Sequence, residues 1–97
     1  MRVVLWTEQA RSDLAAIRAF ISQDSPQYAS VVVAQLIAAT DRLMTFPESG
    51  RAVPEFYNPL IREVVHRPYR IVYRLVGVDQ IHILTVHHGS QRFPSDL

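Results

Sequence analysis

Apolar positions recur at two different periods along this chain, and the change from one to the other divides it. Arg2 to Trp6 is a short apolar, β-prone run that predicts a first strand. Thr7 then offers a helix N-cap, with Glu8 favourable in the first turn. Across Glu8–Gln23, Ala10, Leu14, Ile17 and Ile21 repeat at helical spacing, while Arg11, Asp13 and Arg18 fall off that stripe. Asp24-Ser25-Pro26 starts a second helix: Ser25 caps it, and Pro26 suits the first helical position, where a missing N–H costs nothing. Tyr28, Val32, Leu36, Ala39, Leu43 and Phe46 trace one face over five turns, and Pro47 ends the run. Val31 to Val33 is β-prone, but the sustained helical period and the cap outweigh it.

Pro47 to Pro54 reads as a loop from its proline and glycine content. From Ile61 the period becomes two. Ile61–Val65 is one strand, Tyr69–Val76 a second after the break at Pro68, and Gly77-Val78-Asp79-Gln80 turns into a third, Ile81–His88. The predicted order is β-α-α-β-β-β, an α+β fold with an N-terminal helical hairpin on one face of a mainly antiparallel sheet. Ninety-seven residues suit one domain spanning 1–97, with stability on the order of 5–10 kcal/mol. Trp6, Phe20 and Phe46 are expected in the core with the helix stripes. On the second long strand, alternation puts Tyr69, Ile71, Tyr73 and Leu75 under the helices and leaves Arg70, Val72, Arg74 and Val76 on the open face. The last strand carries aliphatics on both faces, so pattern alone leaves open which of His87 and His88 shares Arg70's face.

Composition narrows the chemistry. The chain has no cysteine, which excludes disulfides, zinc knuckles and thiol catalysis. It shows neither a signal peptide nor an apolar run near the roughly 20 residues that span a bilayer, so a cytoplasmic protein without a membrane partner is expected. All ten basic residues are arginine, and Ile61 to Arg92 holds five of them with all four histidines. Guanidinium forks bind phosphate and carboxylate bidentately and stay charged, so the final sheet is the place to look for anion chemistry. Arg51, Arg62 and Arg74 are candidates for a nucleic-acid or acidic-partner patch, against the plainer reading of a mixed solvated face. His87 and His88 are adjacent in a strand and point to opposite faces, so they do not pair on a metal; no cofactor or metal is expected. His66 and His82 read as surface or core-edge residues. Ser90, His88 and Asp96 lack the surroundings of a nucleophile elbow and are not read as a hydrolase triad.

The ordered set of segments resembles the RelE/ParE superfamily of toxins from bacterial type II toxin–antitoxin modules. The segments are Trp6-Thr-Glu-Gln-Ala-Arg-Ser-Asp-Leu14, Phe46-Pro-Glu-Ser-Gly-Arg51, Ile61-Arg-Glu-Val-Val65, Tyr69-Arg-Ile-Val-Tyr-Arg74 and Val86-His-His-Gly89. The resemblance covers nearly the whole chain. It implies a toxin neutralised by a cognate ParD/RelB-like antitoxin in a hetero-oligomer, meeting operator DNA only through that antitoxin. Two activities occur on the fold: ParE-like members inhibit DNA gyrase, and RelE-like members cleave mRNA on the ribosome without a metal. By the resemblance, Arg70 stands where the ribonucleases contact the scissile phosphate. Glu55 stands where one subgroup has a general base, and His88 near a basic residue of the last strand. Cleavage by 2′-OH attack needs a base, a cation and a proton donor, which these three would supply. The pattern departs at Gly89, where arginine is common, at Phe93, where a tyrosine would serve, and in the absence of lysine. A ParE-like gyrase inhibitor is therefore expected first and a RelE-like ribosome-dependent endoribonuclease second. A relic that only binds antitoxin is a weaker third.

Overall fold

The computed structural model describes residues 2–89. Strand β1 (Val3–Trp6) leads into helix α1 (Glu8–Ser22) and helix α2 (Pro26–Asp41), which ends in a 3-10 turn, Arg42–Met44. Strands β2 (Arg51–Ala52), β3 (Ile61–His66), β4 (Tyr69–Val76) and β5 (Gln80–His88) follow. The five strands form one sheet in the order β1-β5-β4-β3-β2. β1 runs parallel to β5, and the other pairs are antiparallel. This is the expected α+β arrangement, with β2 added inside the stretch read as a loop.

The caps are where the sequence placed them. The Thr7 side chain accepts from the Ala10 amide and also donates to the Ile83 carbonyl at 2.7 Å, fastening the start of α1 to β5. Ser25 accepts from the Tyr28 amide, and Pro26 occupies the first turn of α2. Gly77 takes a φ of 61° at the β4–β5 turn, which suits a residue without a side chain.

The core under the helices joins Ala10, Val32, Leu36 and Leu43 to Val64, Ile71, Tyr73, Ile81, Ile83 and Val86, with Trp6 and the α1 stripe at its edge. Three aromatic assignments are corrected. Phe20 is 72% exposed, Phe46 64% and Tyr28 60%. Phe20 lies between the half-buried Ile17 and Ile21 in sequence but roughly 60° from the first and about 100° from the second around the helix. Phe46 follows the 3-10 turn, which tightens the backbone and breaks the α period before that residue. In α2 the buried face runs through Ala29, Val32, Val33, Leu36 and Thr40, rotated away from Tyr28.

The opposite face of the sheet is not open along its length. Val72 is fully buried there, in a second small cluster with Val53 and Ile61, flanked by Phe56 and Leu84. The segment after β2 folds over this part of the sheet. β5 also contains a bulge: Val72 pairs with Thr85 and Tyr73 with Ile83, so Leu84 is the extra residue. Inward positions therefore change parity, from Ile81 and Ile83 to Val86. Asp13 of α1 holds this point, accepting hydrogen bonds from the Thr85 hydroxyl and, at 3.1 Å, from the Val86 amide.

Candidate functional site: an arginine–carboxylate cleft at one end of the sheet

The strand pleat and the segment after β2 bring four charged side chains together. Glu63 on β3 lies opposite Val72 of β4 and Arg51 of β2, and its carboxylate is fully buried. One oxygen accepts from Arg51 Nε at 2.5 Å and the other from Arg70 Nε at 2.6 Å. The outer edge of the Arg70 guanidinium takes a second carboxylate: its two terminal nitrogens each donate to a Glu55 oxygen at 3.0 Å. A buried carboxylate needs such partners, since desolvating an unpaired charge costs several kcal/mol, roughly.

The two acids differ. Glu63 has no exposed side-chain surface, whereas Glu55 is 47% exposed on the segment that follows β2. The Arg70 hydrogen bonds hold the Glu55 carboxyl below its ordinary range. Arg70 is in turn pushed above its usual value, mostly by Glu55, so it stays charged.

These residues line an open cleft of about 860 Å³, walled further by Arg42, Arg67, Pro68, Tyr69, His88 and Gly89. The cleft brings together Glu55, Arg70 and His88. Of the other three arginines named from sequence, only Arg51 lines it. Arg62 faces the other way and donates to the Gly50 carbonyl at 3.1 Å and the Glu48 carbonyl at 3.4 Å, holding the turn before β2. Tyr73 reinforces that turn: its hydroxyl donates to the Pro47 carbonyl at 2.7 Å and accepts from the Gly50 amide at 3.0 Å. A Cβ on Gly50 would meet the Tyr73 ring and the Glu63 carbonyl at 2.6 Å, so the close approach requires glycine. Arg74 is exposed but does not line the cleft. The proposed patch of Arg51, Arg62 and Arg74 is thus divided among three places, because the pleat separates Arg62 and the length of β4 separates Arg74.

The histidine question resolves by register. His87 pairs across the strands with Arg70 and is only 7% exposed, while His88 pairs with Tyr69 in an edge-to-face ring contact, centroids 5.9 Å apart. Burial first, then the neighbouring Arg70 charge, lowers the His87 pKa and favours the neutral ring. Arg42 and Arg67 were not singled out from the sequence, since they come from separate elements and nothing local marks them as neighbours. Among the described residues no three His, Asp or Glu converge as a metal site. Phe93, Ser90 and Asp96 lie outside the described residues.

A helical hairpin packed on one face of a mainly antiparallel sheet is the build expected of the RelE/ParE toxins. Comparison with known proteins agrees and is more specific: over residues 4–93 the chain matches the ParE toxin of the type II toxin–antitoxin system parDE, and it belongs to that family. It is 34% identical over 91 residues to Toxin RelE2 of Caulobacter vibrioides, covering 94% of this chain and 99% of that protein. Among solved structures it is similar to one described as the chromosomal ParDE TA system from P. aeruginosa. The identity is 25% and the TM-score 0.74, covering 91% of this chain and 96% of the other. The protein is a type II toxin of the ParE/RelE kind.

Proposed function

We propose that this toxin acts by gripping a protein, DNA gyrase, rather than by cutting RNA, and that a cognate ParD/RelB-like antitoxin holds it inactive in the cytoplasm. The observation that carries this reading is the state of Arg70. Its guanidinium is occupied on one edge by the buried Glu63 and on the other by Glu55. A scissile phosphate would have to compete with both carboxylates for the cation. Glu55 suffers as a general base for the same reason: efficient bases titrate near the working pH, and Arg70 moves this carboxyl the other way. Gly89 carries no side chain where a ribonuclease would place another cation. No helix among the described residues is long and apolar enough to cross a membrane, which fits a protein target inside the cell.

A ribosome-dependent endoribonuclease is the second reading, favoured by the convergence of Glu55, Arg70 and His88 on one cleft. Two assays on purified protein separate the readings: supercoiling by gyrase, and cleavage of mRNA on programmed ribosomes. Loss of supercoiling by gyrase, with no RNA cuts, is the expected result. RNA cleavage abolished by Arg70→Ala, with supercoiling untouched, would overturn it. Growth arrest on induction of the toxin alone, relieved by the antitoxin, tests the pairing.

A further inference from the structure

The two carboxylates on Arg70 are not equivalent, and the difference assigns a binding site. Glu63 is built into the sheet, fully buried, and shared with Arg51. It fixes the Arg70 side chain from below through Nε, so the terminal nitrogens are aimed into the cleft whatever else happens. Glu55 sits on those terminal nitrogens with both oxygens at 3.0 Å, but from an irregular segment and with nearly half its side chain exposed. Arg70 is only 13% exposed and the pair is bidentate, so the contact is stronger than an ordinary surface ion pair. It is the Glu55 half that solvent and an incoming group can reach.

We propose that Glu55 is an internal stand-in for a partner's carboxylate: an acidic side chain on a docking protein displaces it and takes both terminal nitrogens of Arg70. This rests on the reading that the toxin grips a protein, and it specifies the chemistry of that grip. The exchange replaces one planar carboxylate by another on the Arg70 fork, so the guanidinium keeps a bidentate partner. Arg42, Arg51 and Arg67 around the same cleft favour the approach of an acid. A nucleic-acid strand fits less well. It would bring a succession of phosphates past Glu63 and past Glu55, which remains tethered nearby after displacement, and like charges would face each other throughout. Glu55 therefore acts as a gate on affinity, since any incoming acid must first outcompete it.

The test titrates two probes, a tetraglutamate peptide and a single-stranded RNA tetranucleotide, into the wild type, Glu55→Gln and Glu55→Gln/Arg70→Lys. Binding is followed by amide chemical shifts. Glu55→Ser serves as a second variant should the glutamine fold poorly, and thermal melts establish folding in each case. The expected result is that the peptide binds Glu55→Gln at least about tenfold tighter than the wild type. The double variant should lose that gain, because lysine cannot form the fork. A peptide affinity within twofold of the wild type would overturn the proposal. So would a gain retained with Arg70→Lys, or an RNA gain equal to or larger than the peptide gain. No gyrase is present in these titrations, so their failure leaves the supercoiling result standing, and the converse holds too.

Discussion

The two faces of the sheet solve the same problem by different means. Under the helices, side chains from both layers interlock in an apolar core in which Leu36, Leu43, Ile71, Tyr73, Ile81 and Ile83 have no exposed surface. On the other face the described residues form no second layer. A short cluster around Val72 is covered by the segment after β2, and beyond it the burial is achieved by charge: Glu63 at 1% exposure between two arginines. Apolar packing is tolerant of exchange among similar volumes, whereas a buried ion cluster demands every partner. The inner face is therefore where stability resides. The outer face is where a single charge change unsettles the structure.

That contrast can be broken from either side. The largest effect is expected at Tyr73, which belongs to the inner core and also bonds the turn before β2. Tyr73→Ala should cost about 4–5 kcal/mol in urea unfolding, enough to leave much of the chain unfolded. Tyr73→Phe, which keeps the ring, should cost only about 1–3 kcal/mol. Near-equal losses for the two would mean that the hydroxyl, not the packed ring, holds this place. Next comes Glu63→Ala, which removes the buried carboxylate that Arg51 and Arg70 share. A loss of about 3 kcal/mol is expected by the same measurement, and a loss below about 0.5 kcal/mol would show that the outer cluster is a surface feature.

The smallest effect is a dependence on pH. The folded His87 pKa lies below its ordinary 6.5, so its neutral state is favoured by folding. Its contribution is complete above 6.5 and is lost as pH falls from there through the folded value. Glu55, lowered from 4.5, behaves alike at more acid pH: its contribution is present above 4.5 and fades as the folded value is crossed. Thermal midpoints between pH 8 and pH 5 should fall for the wild type and stay flatter for His87→Gln. Parallel curves for the two proteins would mean that His87 is not held neutral beside Arg70.

The same contrast explains what the sequence discloses. The helix starts at Thr7 and at Ser25-Pro26 are local signals and appear where expected, as do the three long C-terminal strands. Errors arise where a residue's fate depends on remote chain. Phe20 and Phe46 have core chemistry, yet the other layer does not reach them. Val72 alternates with residues of the inner face and was assigned to an open one, because its cover comes from Val53 and Phe56. The bulge at Leu84 changes the parity of β5, which is why alternation leaves His87 and His88 unresolved. In the cleft, Glu55, Arg70 and His88 were found by resemblance. The burial of Glu63, and the presence of Arg42 and Arg67, follow only from pairings across strands and turns that no local pattern encodes.

The parallel pairing of β1 with β5 has a consequence in time. The first strand takes its partner from Gln80–Ile83, and Thr7 bonds Ile83, 76 residues away. As the polypeptide leaves the ribosome, β1 and the helical hairpin emerge with no sheet to pack on. β5, the interior strand that joins β1 to β4, is the last of the described strands to emerge. Pairings between such distant segments form slowly. The toxin's sheet, and with it the cleft, is therefore completed only once β5 has emerged.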